Sequence, residues 1–310
     1  MTRAGGPAPA PSPAPAPGRP PAPTRIGGRV FAWGARTFVM GIVNCTPDSF
    51  SGDGLLAGAT ASSTASSAAS SAAELGVARA RRMAAEGADI LDVGGESTRP
   101  GHEPVTAGEE IDRVVPVIAA IHAALPEMPI SIDTSKPSVA AAALDAGAAL
   151  LNDVWGVSAD DSMARLAADR GVPIVLMHNR VEAVYSNLID EVLADLRVAL
   201  DRALSLGVPA ANLIVDPGFG FGKTPEHNLA VLRELARLRE LGRPVLLGTS
   251  RKSTIGRVLG GVPVEDRLEG TIATTAIGIA AGVDVVRVHD VLANVRAARM
   301  ADAVFREGES

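Results

Sequence analysis

The sequence predicts an α/β fold in which eight parallel strands, each followed by a helix, close into a (β/α)8 or TIM barrel. Short runs rich in Val, Ile and Leu recur along the chain, each followed by polar residues and then a helical pattern. The runs are apolar throughout, as expected for strands buried on both faces. The 310 residues, 47% of them hydrophobic, suit one such domain plus a tail. An open doubly wound sheet remains the alternative, because spacing alone does not show closure.

The predicted elements alternate regularly along the chain. The strands are predicted at 38–43, 89–93, 129–132, 149–152, 173–177, 212–215, 244–248 and 284–288. The helices are predicted near 74–86, 108–124, 137–146, 161–170, 188–206, 226–240, 264–281 and 291–306. A short hairpin is expected over 26–37, before the first of these strands.

Two segments depart from this rhythm. Residues 1–24 are nearly all Ala, Pro and Gly, a composition that cannot bury enough apolar surface to fold, so we expect a disordered tail over 1–25 and a barrel domain over 26–310. Residues 57–73 are mostly Ser and Ala and lie between the first strand and its helix. We interpret them as a mobile low-complexity insertion in the first βα loop.

Composition excludes several classes of partner. The formal net charge of −6 argues against a general nucleic-acid or anionic-membrane surface. The chain has no apolar run long enough to span a membrane and no apolar segment typical of a secretory signal. Its one cysteine, Cys45, allows no internal disulfide and favours a reducing, cytoplasmic location.

Polar residues follow every predicted strand, and the strand ends share one face of a barrel. Asp133, Asn152 and Asp216 suit a flat, nitrogen-rich heterocycle, because carboxylates accept from its N–H groups and an amide both donates and accepts. A second group is cationic and suits phosphate or carboxylate; it contains Arg99, Lys252, Arg287 and His289, with helix N–H donors expected at Ser253.

The first strand ends with residues that suit a metal. Asn44 with Asp48 would hold a hydrated Mg²⁺ on phosphate oxygens, because Mg²⁺ prefers oxygen ligands and keeps several waters. Zinc is not expected, since no paired Cys/His spacing occurs.

Each of these residues also has a structural interpretation. An aspartate after a strand is often a helix N-cap, and His178 is expected to be a hydrogen-bonded interior histidine. The glycine-rich stretch 216–223 is not a nucleotide phosphate loop: Pro217 occupies the position of the first Walker glycine, and Lys223 that of the third dinucleotide-motif glycine. Lys223 is expected to be a loop or surface charge.

The chain resembles the dihydropteroate synthase family. The matching segments occur in the family's order: MGIVNCTPDSF (40–50), DVGGESTRPG (92–101), SIDTSKP (131–137), ND (152–153), LMH (176–178), DPGFGFGK (216–223), SRKS (250–253) and RVHDV (287–291). The resemblance implies a transferase of folate biosynthesis that joins 6-hydroxymethyl-7,8-dihydropterin diphosphate to 4-aminobenzoate, with Mg²⁺, and that is a homodimer and a sulfonamide target.

The resemblance also implies a role for each motif residue. The pterin would be bound by Asp133, Asn152, Asp216 and Lys252, and the diphosphate by Asn44 through the metal, Arg287 and His289. The aminobenzoate would be framed by Thr98, Arg99, Pro100, Phe219, Lys252 and Ser253. Met177 and Gly248 complete the substrate-binding set. The catalytic set would be Asp48, Arg99, Asp133, Asp216 and Lys252, with Asp48 on a first loop that orders during catalysis.

Two alternatives share parts of this pattern. A non-catalytic pterin-binding paralogue would typically lose a loop residue or the lysine of SRKS, and both are present here. A pterin-dependent methyltransferase would share the Asp, Asn and Asp set without needing the STRP and SRKS groups. The Ser/Ala insertion lies beyond Ser51 and leaves the TPDSF segment intact, so we expect activity to be retained.

Overall fold

The computed structural model describes residues 20–46, 65–96, 104–155 and 160–306. The predicted tail up to residue 19 and residues 57–64 of the predicted insertion lie outside these ranges. The strands are β1 Thr24–Ile26, β2 Arg29–Phe31, β3 Phe38–Asn44, β4 Ile90–Gly94, β5 Ile130–Asp133, β6 Leu150–Asp153, β7 Ile174–Met177, β8 Leu213–Asp216, β9 Leu246–Leu247 and β10 Val285–Val288.

Strands β3 to β10 form the predicted barrel. Each pairs in parallel with its neighbour in the order β8-β7-β6-β5-β4-β3-β10-β9. The two remaining edges meet at a parallel bridge between Val215 and Val245, where the Val215 amide donates to the Pro244 carbonyl at 2.9 Å. This bridge brings the ends of the sheet together, so the barrel prediction is confirmed over the open sheet.

Helices cover the outside of the barrel. In the described ranges they are α1 Ala65–Glu86, α2 Ala107–Ala124, α3 Pro137–Asp145, α4 Ser162–Arg170, α5 Leu188–Ser205, α6 Pro225–Arg233, α7 Ser253–Val258, α8 Leu268–Ala280 and α9 Val291–Phe305. No helix in these ranges is both long enough and apolar enough to cross a membrane.

Four predicted boundaries were wrong. The hairpin expected over 26–37 spans 24–31, with β1 and β2 as its strands. α1 begins at Ala65, so residues 65–73 of the predicted insertion are helical; the segment is rich in alanine, the strongest helix former. The helix predicted over 226–240 ends at Arg233 and is followed by a 3₁₀ segment, Leu235–Leu241. The element predicted over 264–281 is a 3₁₀ turn, Val264–Asp266, and then α8.

The antiparallel hairpin of β1 and β2 closes the amino-terminal end of the barrel. Ile26, Phe31 and Trp33 pack with the interior residues at the start of the strands, namely Phe38, Met40, Ile90, Leu150, Val175, Ile214, Leu246 and Val285. Thr24, which the domain division placed in the tail, is fully buried, and its hydroxyl accepts from the Trp33 indole at 2.9 Å. A second apolar cluster fills the space between strands and helices. The carboxyl end of the barrel is thus the end left for a ligand.

Candidate active site

The site lies inside the barrel, next to the apolar cluster that the hairpin forms with the first interior residues of the strands, on its carboxyl-terminal side. Side chains alternate along a strand, so a residue two positions after an interior residue also points inward. The interior residues Ile90, Leu150, Val175, Ile214, Leu246 and Val285 are therefore followed by Asp92, Asn152, Met177, Asp216, Gly248 and Arg287. The predicted strand-end residues converge in one layer because each lies two positions after an interior residue of its strand and therefore also points into the barrel.

Arg287 lies at the centre of this layer. Its Nε donates to Asp92 Oδ2 at 2.5 Å and its Nη2 donates to Asp133 Oδ2 at 2.5 Å. The Asn152 amide also donates to Asp92 Oδ2, at 3.2 Å. Arg287, predicted to bind diphosphate, is thus also the cation that neutralises two interior carboxylates.

Burial sets the protonation of this cluster. Desolvation raises the pKa of Asp133 to about 7; Arg287 opposes this rise, and the neighbouring charge of Asp92 adds to it. Burial opposes the charge of Arg287, but Asp92 and Asp133 outweigh it and raise the pKa of the guanidinium above its ordinary value. Asp92 is fully buried, and its Oδ1 has no hydrogen-bond partner in the described structure.

Asp216 and Lys252 form the opposite side of the layer. Asp216 is 6% exposed, its Oδ1 accepts from the Gly218 amide at 2.7 Å, and burial raises its pKa. The Lys252 ammonium donates to the Phe219 carbonyl and lies 4.3 Å from the centroid of the Phe221 ring. Burial lowers the pKa of Lys252 to about 8, against the opposing charge of Asp216. The carboxylate and the ammonium are thus both held in surroundings that penalise charge.

The two aromatic residues of the glycine loop differ in burial. Phe219, predicted to frame aminobenzoate, is 1% exposed and packs in the cluster between strands and helices. Its side chain is therefore part of the core; its carbonyl accepts from Lys252, whose ammonium lies 5.9 Å from the centroid of the Phe219 ring. Phe221 is half-buried and presents its ring to the Lys252 ammonium. Of these two aromatic residues, Phe221 is the one with ring surface exposed, and the sequence analysis did not assign it.

The remaining described residues line the mouth. His289 is half-buried, and its Nδ1 is 3.0 Å from Ser250 Oγ, which accepts from the His289 amide at 3.1 Å. Ser253 is exposed at the start of α7, Met177 is 5% exposed, and Gly248 lies against the Arg287 side chain.

Asn44 ends β3 beside Gly94 and is half-buried. Within the described ranges no group of three or more His, Cys, Asp or Glu side chains is arranged to hold a metal ion. Asp48, Thr98, Arg99 and Pro100 lie outside the described residues.

Two further polar residues, to which the sequence analysis gave no role in the site, contact it or the glycine loop: Asp92 and Lys223. Asp92 lies in a matched motif. Its position two residues after the interior residue Ile90 could have predicted that its side chain points into the barrel. Lys223, expected at the surface or on a loop, is partly buried, with its ammonium 2.8 Å from His178 Nδ1. His178 is 3% exposed and also lies 3.2 Å from Asp195, which confirms it as a hydrogen-bonded interior histidine.

Comparisons with known proteins identify the family of the chain. A profile described as pterin binding enzyme matches residues 40–289. A dihydropteroate synthase of Clostridium beijerinckii is 50% identical over 283 residues, covering 91% of this chain and 99% of that protein.

Two solved structures extend the comparison. The dihydropteroate synthase of Clostridium difficile with pteroic acid superposes with a TM-score of 0.81 at 46% identity, over 89% of this chain and 100% of that one. The Xanthomonas albilineans enzyme with 4-aminobenzoic acid gives 0.81 at 41% identity, over 92% and 98%. The chain therefore belongs to the pterin binding enzymes and, among them, to the dihydropteroate synthases.

Proposed function

We propose that this chain joins 6-hydroxymethyl-7,8-dihydropterin diphosphate to 4-aminobenzoate, releasing pyrophosphate and forming 7,8-dihydropteroate. The observation that carries the proposal is the inward polar layer at the carboxyl end of the barrel. In it Arg287 donates to Asp92 and Asp133, and Asn152 donates to Asp92. Asp216 is buried at the end of β8. A flat heterocycle with several N–H groups and ring nitrogens matches such a mixture of acceptors and donors. Membership of the dihydropteroate synthases supports the same reaction.

The pterin ring would lie among Asp133, Asn152 and Asp216, with Lys252 donating to its acceptors. As the bond between the pterin methylene and the diphosphate oxygen breaks, its electron pair leaves with the diphosphate and positive charge spreads into the ring. The carboxylates of Asp133 and Asp216 would stabilise that charge, which a preorganised, desolvated site does better than water. The amine nitrogen of aminobenzoate then bonds to the methylene carbon and loses a proton.

The diphosphate would lie at the mouth beside His289 and the outer edge of Arg287. Arg287 has its Nε and Nη2 committed to carboxylates, so its Nη1 is the donor that can turn to a phosphate oxygen. The side-chain oxygen of Asn44 suits Mg²⁺, which is held mainly by waters and substrate phosphates and so needs few protein ligands. When bound, Mg²⁺ would neutralise charge on the leaving group.

Aminobenzoate would lie against Phe221, with Lys252 and the start of α7 at Ser253 near its carboxylate. We keep Phe219 in this subsite only through its carbonyl, which holds Lys252. The roles assigned to Asp48, Thr98, Arg99 and Pro100 rest on the resemblance of their motifs.

A coupled assay tests the function directly. Purified protein with pterin diphosphate, 4-aminobenzoate and Mg²⁺ should release pyrophosphate only when both substrates are present, with dihydropteroate formed in equal amount. A folded sample that binds pterin by calorimetry but releases nothing would instead be a non-catalytic paralogue.

We also propose that the chain is a homodimer. In support, α8 and α9 pack side by side and expose large apolar side chains, with Ile277 49% exposed, Met300 67% and Phe305 57%. Light scattering coupled to gel filtration should give twice the chain mass, and Ile277→Asp should shift it toward the monomer; a monomeric wild type would refute the proposal. A cytoplasmic location stays an expectation from the single cysteine, Cys45, which is buried.

A further inference from the structure

The glycine loop, residues 218–222, is held by side chains at nearly every carbonyl. Lys223 Nζ donates to the Gly218 and Phe221 carbonyls, both at 3.1 Å. The Tyr185 hydroxyl donates to the Gly222 carbonyl at 2.7 Å, and Lys252 donates to the Phe219 carbonyl. Two lysines therefore hold the glycine loop. Lys252 does so from the site, and Lys223 from the side facing the loop that follows β7, called the β7 loop below.

The third donor of Lys223 links the glycine loop to the loop after β7. Its ammonium lies 2.8 Å from His178 Nδ1. Burial lowers the pKa of Lys223 to about 7, and below that pH the side chain is an ammonium, which only donates. Nδ1 then carries the lone pair, and the ring proton is on Nε2, which donates to Asp195 at 3.2 Å. Burial, with the nearby charge of Lys223, lowers the pKa of His178 to about 4, which keeps this neutral tautomer at physiological pH.

The two loops are too close to admit a side chain between them. A Cβ placed on Gly218 would lie 1.8 Å from the His178 carbonyl oxygen, and one on Gly222 would lie 2.3 Å from the Arg180 carbonyl oxygen. Both glycines also have positive φ, 68° and 52°. The position of the glycine loop is thus set by backbone contact with the β7 loop and by the Lys223 ammonium.

The use of lysine in this chain points to the same conclusion. Of 29 Lys and Arg residues only three are lysines, Lys136, Lys223 and Lys252, and each follows a barrel strand at the carboxyl end. Lys136 Nζ contacts two carboxylates, Glu96 at 2.5 Å and Glu110 at 2.6 Å. Arginine serves at every other cationic position. A planar guanidinium cannot direct three donors from one atom toward different acceptors, whereas an ammonium can.

We propose that Lys223 is a positioning residue for the 4-aminobenzoate subsite. Through its ammonium, the glycine loop is held so that the Phe219 carbonyl and the Phe221 ring both stay on Lys252. The inference rests on the proposed function, which assigns Phe221 and Lys252 to that substrate. It gives no direct substrate contact to Lys223, whose three donors are engaged within the protein.

Steady-state kinetics of Lys223→Met test this role. The variant keeps an unbranched chain one atom shorter and loses all three donors. We therefore expect KM for aminobenzoate to rise about tenfold or more, a loss of at least about 1.4 kcal/mol of binding. KM for the pterin diphosphate should change less. His178→Asn keeps an acceptor for Lys223 but breaks the link to Asp195, so its effect should lie between those of Lys223→Met and wild type.

Arg197→Met is the matched control. Arg197 lies on α5, the helix that carries Asp195, and its guanidinium makes only a surface contact with Glu240 at 3.3 Å. This variant should leave both KM values unchanged.

An unchanged KM for aminobenzoate in folded Lys223→Met overturns the proposal, as does an equal rise in both KM values with a lower melting temperature. If Lys223→Met does not fold, His178→Asn and Tyr185→Phe decide by the same ratio of KM values. If the wild type forms no product, the proposed function fails. The hydrogen bond from Lys223 to His178 is then tested by ¹⁵N NMR of the His178 ring. A protonated Nδ1 from pH 5 up to the Lys223 pKa of about 7, where Lys223 is an ammonium, would overturn the proposal.

Discussion

Replacing Lys252 with methionine should abolish activity and at the same time stabilise the free protein. The ammonium is held in the barrel mouth at a cost, because burial lowers its pKa from the ordinary 10.5 to about 8. That difference corresponds, at about 1.4 kcal/mol per pH unit, to about 3 kcal/mol, an upper value because half-burial leaves some solvent screening.

The size of this stabilisation depends on pH. Below pH 8 Lys252 is charged in both the folded and unfolded states, so the cost to the folded protein is fully present. As pH rises from 8 to 10.5, the folded state loses its proton first and the cost disappears. Lys252→Met should therefore gain about 1–3 kcal/mol at pH 7 and little at pH 10 or above. Urea unfolding of the ligand-free protein, followed from pH 6 to pH 10, measures this gain.

Lys136→Met is the matched comparison, and it should lower the free energy of unfolding where Lys252→Met raises it. Burial works against the charge of Lys136, but its contacts with Glu110 and Glu96 outweigh this and raise its pKa. Removing it leaves Glu110, which is fully buried, without its cation, so about 3–5 kcal/mol should be lost at pH 7. If Lys252→Met is no more stable than wild type at pH 7, or if its gain does not vary with pH, the reasoning about Lys252 is refuted.

Four further outcomes are expected. Asp92→Ala should lower the free energy of unfolding by about 3–5 kcal/mol, because it strips a buried guanidinium of one partner, and Asp92→Asn should cost less because its amide oxygen still accepts. Since the pKa of Asp133 is about 7 and only its carboxylate stabilises the pterin cation, kcat/KM should fall as pH drops below 7, and Asp92→Asn should move this fall to lower pH; a profile flat from pH 5 to 8 would exclude Asp133 from that role. Phe221→Ala should raise KM for aminobenzoate at little cost in stability, whereas Phe219→Ala should lose about 3–5 kcal/mol on urea unfolding; the reverse pattern would restore the sequence assignment. Chelation with EDTA should remove activity and Mg²⁺ restore it, and Asn44→Ala should require more Mg²⁺ for half-maximal rate; an unaltered requirement would exclude Asn44 as a ligand.

The repeating pattern of the barrel was accessible from the sequence because it is written in local periodicity. Each buried strand is a short Val, Ile and Leu run, and the capping residues Thr106 and Thr224 mark helix starts through hydrogen bonds to residues three positions on. The predicted start of a helix was less accurate where the sequence lacks large apolar side chains, as in the Ser/Ala stretch before Glu74.

The candidate site was partly predictable for a related reason. Asp133, Asn152, Asp216 and Arg287 follow strands, and strand ends of a barrel meet at one face. The difference in burial between Phe219 and Phe221 was not predictable in this way. Both follow the same strand in an irregular loop, where positive φ at Gly218, Gly220 and Gly222 breaks the alternation that tells inward from outward.

By itself the sequence determined the order of elements, the fold class and part of the set of residues at the carboxyl end of the strands, because these depend on short-range pattern and on motifs read along the chain. Only the tertiary structure decided which of those residues touch. Arg287 binds Asp92 and Asp133 across 195 and 154 residues of chain, and Lys223 reaches His178 across 45. Such pairs form because closure of the barrel brings distant strand ends within hydrogen-bond reach, and burial then sets their charge, as it does for Lys252.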